Sequence, residues 1–205
     1  MIIADVTLDM LARAVRALDD PPGEPAWNHD ELVDLLGPEP RKPAAVLVPL
    51  VLRAQGLAVI FTRRTEHLNN HAGQISFPGG RIEASDTDAV AAALREVHEE
   101  TGISPQQVRP FGYLDCYETI SNFQVTPVLG EVASDYLAIP DPVEVAEVFE
   151  VPLSFFLAPE NKRIRRIHYR NRPREVVEFS YGDYLIWGAT AAMLVNLISR
   201  LERSA

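Results

Sequence analysis

Residues 79–103 constrain this chain more than any other stretch: a Gly79-Gly80 pair, a short acidic loop, then a segment of helical spacing ending Arg95-Glu96-x-x-Glu99-Glu100-x-Gly102. Glu96, Glu99 and Glu100 stand at i, i+3 and i+4, so a helix projects their carboxylates from one face. Like charges packed this closely disfavour the helix until a cation joins them. Oxygen donors without Cys or His suit a hard divalent ion, Mg²⁺ or Mn²⁺. Val90, Ala93, Leu94 and Val97 repeat at three and four, an apolar stripe fit to pack on a sheet while the opposite face offers charge. Asp86, Thr87 and Asp88 are N-cap candidates, and Gly102 is the expected stop. Arg95 precedes Glu99 by one helical turn, and its planar fork can orient a carboxylate. By itself, an acidic helix face also reads as plain solvated surface, because Glu is a good helix former.

The order Gly80, Arg95, Glu96, Val97, Glu99, Glu100, Gly102, Ile103 resembles the box of the Nudix hydrolases. After Gly80 and five residues comes Asp86 where that box carries Glu, and Arg95 follows after eight residues instead of seven. Residues 60–80 resemble the motif just upstream of the box in coenzyme A pyrophosphatases. Thr62, Arg64, the His71-Ala72-Gly73-Gln74 run, Phe77, Pro78, Gly79 and Gly80 fit it, and Asn69 stands where the motif carries Arg. Residues 122–128, 144–153 and 187–191 are similar to later segments of the same family. The resemblance implies an α/β (α+β) chain with the Nudix fold, a mixed β-sheet sandwiched between α-helices. It also implies a metal-dependent pyrophosphohydrolase that splits CoA or a CoA derivative into 3′,5′-ADP and 4′-phosphopantetheine. The alternative substrate is another nucleoside diphosphate compound, such as NADH, ADP-ribose or a dinucleoside polyphosphate. The alternative class is a non-catalytic nucleotide-sensing module on the same fold.

Under that resemblance Glu96 and Glu100 are the expected Mg²⁺ or Mn²⁺ ligands, and Glu99 is a third ligand or the base that activates water. Spacing does not separate those two roles. Arg95 is expected to orient the acidic set. Gly79 and Gly80 let backbone approach a phosphate or the ion closely. Glu144, set with Glu147 on a further predicted helix, is a candidate auxiliary base. Arg63, Arg64 and His71 are candidates for meeting the anionic groups of the nucleotide, while Phe77 and Phe123 read as core.

At 205 residues and 47 % hydrophobic, one core is expected: a single domain over 1–205, with 1–43 a helical N-terminal extension. No apolar run nears membrane-spanning length, and the N-terminus lacks a secretory pattern. Cys116 is the single cysteine, which fits a reducing cytoplasm. A net charge of −10 argues against nucleic acid as partner. The expected partner is a small CoA-like nucleotide, with no membrane; a homodimer is compatible with the chain. The basic stretch Lys162 to Arg174 alternates as a strand with its charged face in water. Helices are predicted over 5–18, 30–36 and 188–203, with a short amphipathic segment at 143–149. Strands are predicted over 44–53, 56–62, 108–115, 123–131, 163–169, 176–181 and 184–187.

Overall fold

The computed structural model describes residues 6–67, 72–169 and 172–204. After α1 (Leu8–Ala14) and the single turn α2 (His29–Leu32), the chain enters β1 (Lys42–Arg53), β2 (Gly56–Arg64), β3 (Ile75–Ser76) and β4 (Gly79–Arg81). Helix α3 (Ala89–Thr101) follows, then β5 (Val108–Tyr113), β6 (Tyr117–Glu118), β7 (Phe123–Val132) and β8 (Val145–Pro152). The short α4 (Leu153–Leu157), strands β9 (Lys162–Tyr169), β10 (Arg172–Tyr181) and β11 (Tyr184–Trp187), and α5 (Gly188–Ser204) complete it.

Among the described residues, β1 to β8 form one mixed sheet in which β1 runs parallel to β7 and antiparallel to β2 and β4. Side chains of β1 and β2 alternate between two apolar layers. Val48, Leu50, Val59 and Phe61 face the layer under α1, α4 and α5; Ala45, Leu47, Ala58 and Ile60 face the layer that holds α3. Both faces being covered explains why β1 reads as an almost unbroken apolar run. The expected sandwich of a mixed sheet between helices is therefore the observed one. No described helix is long and apolar enough to cross a membrane.

Strands β1 and β2 pair from Leu50↔Val59 to Arg53↔Gly56 and then part. Beyond that point β1 pairs with β4 through Ala44, Ala45 and Val46, and β2 pairs with β3 through Thr62 and Arg63. Pro49, which has no N–H to give a ladder, falls at the parting. The split leaves Gly79 and Gly80 beside the central strand and Arg63 and Arg64 at the end of β2.

Three expectations change. The predicted helix over 5–18 is shorter, because beyond Val15 the chain bridges to β5, with Arg16 and Tyr113 exchanging backbone hydrogen bonds at 3.0 and 2.9 Å. The helix over 30–36 is reduced to α2 and turns. The amphipathic segment at 143–149 is the strand β8: Val145, Phe149 and Val151 are buried at even spacing, and β2 takes them as a pairing partner. Within the basic stretch, 162–169 is the strand β9 with its cations mostly exposed and answered by the chain's own carboxylates, Arg165 with Glu178 at 3.0 Å and Arg166 with Glu175 at 2.9 Å. Arg174 in β10 is instead largely covered and paired with Asp34 at 2.5 Å.

Candidate active site

Helix α3 is fixed at both ends by its own sequence. Asp88 Oδ1 accepts the Ala91 N–H at 2.8 Å, and Gly102, at φ +70°, closes the other end with its N–H on the His98 carbonyl. Asp88→Ala is expected to cost about 1 kcal/mol, a fall of roughly 2–4 °C in thermal unfolding.

Ala93, Val97 and Glu100 follow one another at four and three residues, so Glu100 lies on the stripe that packs against the sheet. The three carboxylates are therefore spread around the helix, not grouped opposite that stripe. Glu100 is 5 % exposed, Glu96 is partly buried, and the Glu99 side chain is 58 % exposed. Neighbouring helical residues are turned by about 100°, which separates Glu99 from Glu100. Among the described residues, no three Asp, Glu, His or Cys side chains stand close enough to form a ready metal cage; two arginines sit among the carboxylates instead.

Arg95 is the first. Its Nε and Nη2 donate to both oxygens of Asp86 at 3.0 Å, and Nη1 donates to Glu96 at 3.0 Å and Glu99 at 2.9 Å. Nη2 also reaches the Arg81 carbonyl at 3.0 Å. Asp86, which stands where the box carries Glu, is thus the bidentate anchor of the arginine. That hydrogen bond, aided by the Glu83 N–H at 2.8 Å, holds the Asp86 carboxyl below its usual range. Glu96 goes the other way: burial outweighs its Arg95 contact and raises it.

Arg64 is the second. Its guanidinium stands 3.7 Å from Glu100 and 3.8 Å from Glu144, an ion-pair distance to each without a hydrogen bond to either. Glu144 arrives there by backbone restraint, with β8 beginning just after it. Its carbonyl accepts the Thr65 N–H at 2.9 Å, and Asp141 and Ile139 donate to the carbonyls of Glu100 and Thr101 at 3.0 and 2.7 Å. Burial pushes the Glu100 carboxyl up to about 8, with Arg64 opposing and Glu96 and Glu144 adding to the rise. Glu100 Oε2 is buried with no hydrogen-bond partner.

The glycines fit around this group. A Cβ on Gly80 would stand 2.2 Å from Glu96 Oε1, and one on Gly79 would stand 2.5 Å from the Ala45 carbonyl. Oxygen-only donors, an orphaned buried carboxylate oxygen and a side-chain-free wall are what a hard divalent cation requires. Glu96 and Glu100, with Glu144 sharing Arg64 with Glu100, are the candidates for holding one.

Arg63 is not part of this cluster. It pairs with Glu147 at 3.3 Å, and Glu147 also accepts the Tyr184 hydroxyl at 2.6 Å. His71 and Asn69 lie outside the described residues. Phe77 is core, stacked on Phe61 with centroids 5.2 Å apart; Phe123 is partly buried with the Arg81 guanidinium 5.4 Å above its ring. The sequence pattern did not reveal Asp86 as anchor, although an acid at the Glu position of the box was its visible sign, nor the strap 139–144, which only tertiary pairing reveals.

The NUDIX domain profile matches residues 41–170. A Citrobacter koseri protein named Nudix hydrolase NudL is 42 % identical over 164 residues, covering 77 % of this chain and 81 % of its own. Its Klebsiella pneumoniae namesake is 39 % identical over 183 residues, covering 84 % and 94 %; neither name states a substrate. Among solved structures, a MutT/nudix family protein from Enterococcus faecalis overlays with a TM-score of 0.50 at 16 % identity, covering 82 % of this chain and 64 % of its own. That likeness concerns the fold. With the profile spanning most of the sheet, the whole of α3 and its acidic set, this chain belongs to the Nudix hydrolase family.

Proposed function

We propose that the chain hydrolyses the diphosphate link of CoA or a CoA derivative, releasing 3′,5′-ADP and 4′-phosphopantetheine, with Mg²⁺ or Mn²⁺ at the carboxylate cluster. The observation that carries this reading is the unpartnered, buried Glu100 oxygen beside Glu96 and Glu144. A divalent ion held there supplies the positive charge that the anionic oxygens of a diphosphate need before a nucleophile can approach.

The chain's own residues do the rest. Glu96 and Glu100 hold the ion. Arg95, tied to Asp86, keeps Glu96 and Glu99 in register. Glu99, the most exposed of the three, faces water and serves as base or as third ligand; Glu144 is the auxiliary carboxylate. Arg64, held by charge without a hydrogen bond, is free to turn to a phosphate. Gly79 and Gly80 leave the backbone open to the same group. Arg63 has to leave Glu147 before it can meet an anion, which makes it the weaker anion ligand of the two; His71 is kept as a further candidate.

The CoA motif enters the reading mainly as construction. Thr62 bonds to Ser76 at 3.3 Å, Phe77 packs in the core and Gly79 abuts β1. Cleavage of another nucleoside diphosphate compound keeps the chemistry and changes only the leaving nucleotide; Asn69 is where the two readings part. A substrate panel of CoA, acyl-CoA, NADH, ADP-ribose and diadenosine polyphosphates, followed by phosphorus NMR, decides between them. CoA cleaved fastest, with chelator stopping the reaction, is the expected result. A faster non-CoA substrate replaces the first reading with the second, and no cleavage of any anhydride removes both.

A further inference from the structure

We propose that a hollow between β11 and the β2–β3 edge takes the nucleobase of the substrate. The idea rests on the reading of the substrate as a nucleotide and concerns the part of it that the carboxylate cluster leaves untouched. The hollow measures about 410 Å³, and its lining includes Arg63, Gln74, Asp183, Tyr184 and Trp187, a size within the range of small-molecule sites. Tyr184 is set in advance. Its ring stacks on Phe149 with centroids 3.8 Å apart at 8°, and its hydroxyl donates to Glu147 at 2.6 Å. Trp187 has the Arg165 guanidinium 5.9 Å from its ring centre. Each ring has one side engaged, and both residues line the hollow.

Charge then selects the ligand. Arg63 is answered by Glu147 at 3.3 Å, and Asp183 adds a second negative charge, so the hollow has no surplus positive charge to draw a phosphate. A flat, neutral ring carrying an amino donor fits better. Adenine offers a face for stacking and an exocyclic amine for a carboxylate to accept. Arg63 lines the hollow while the next residue, Arg64, stands beside Glu100. The end of β2 is therefore common to the hollow and the carboxylates.

The chain has two tryptophans, so Trp27→Phe leaves Trp187 as the sole indole reporter. Adenosine titrated into that variant in chelator is expected to change Trp187 emission saturably. Trp187→Leu, with its fold checked by circular dichroism, is expected to bind adenosine about tenfold more weakly by calorimetry, on the scale of one lost stacking contact. Emission unmoved by adenosine, a response to 4′-phosphopantetheine in its place, or unaltered adenosine affinity in Trp187→Leu each overturns the proposal. Neither metal nor turnover enters this test. Inactivity on every anhydride would therefore defeat the hydrolase reading alone, whereas a silent titration beside intact hydrolysis defeats the base site alone.

Discussion

Glu100→Gln is expected to lower kcat by about a thousandfold, on the scale of losing one charge-stabilising group, while making the metal-free protein more stable at pH 8. The two effects have one origin. Burial raises the Glu100 carboxyl from its ordinary 4.5 to about 8 in the folded chain. Across that window the folded protein keeps a proton that the unfolded chain has released, so stability is greatest below the lower value and declines as pH climbs through the upper one. A Gln amide carries no such dependence. Thermal unfolding in chelator from pH 5 to pH 8 is therefore expected to start nearly level for the two proteins and diverge in favour of the variant. Parallel curves would show that Glu100 is not strained by its burial. The same raised value means that a cation entering near neutral pH displaces a proton from Glu100, so affinity for divalent ions rises with pH.

Gly79→Ala is expected to destabilise the fold by about 3 kcal/mol or more, as overpacking against fixed atoms does. At this chain length that is a fall of roughly 6–12 °C in Tm. The added methyl would meet the Ala45 carbonyl at 2.5 Å and Val46 Cα at 2.6 Å, both backbone atoms of the central strand. Neither can yield without disturbing the pairing of β1 with β4. Gly80→Ala is the informative contrast. The three atoms nearest its methyl all belong to the Glu96 carboxylate, the closest at 2.2 Å, and that side chain can swing aside. Its Tm is expected to stay near that of the parent while divalent-ion binding weakens. Equal loss of stability in both variants would contradict this division between scaffold and site.

The parts of the fold written in local pattern were legible in the sequence. Asp88 and Gly102 bound α3 because capping chemistry is local, and the alternating Arg166-Ile167-His168-Tyr169 run gave its strand. Segment 143–149 was misread because two predicted carboxylates and a few apolar residues fit helix and strand equally until β2 supplies a partner edge. At the site, residue types were legible and directions were not. Spacing placed Glu96, Glu99 and Glu100 within one turn, but which of them is buried depends on how α3 is rotated on the sheet. Asp86 looked like a defect in the pattern; its role follows from a distance between loop and helix that no local pattern encodes. Arg63 and Arg64 are adjacent in sequence, and the bulge between them sends one to Glu147 and the other to Glu100.

Titration calorimetry with Mn²⁺, comparing the parent chain with the Glu96→Gln, Glu100→Gln double variant, tests most directly whether the buried carboxylates form a divalent-cation site. Saturable binding by the parent that disappears in a folded double variant is the predicted result. Undiminished binding in the double variant, or none in the parent, would contradict it.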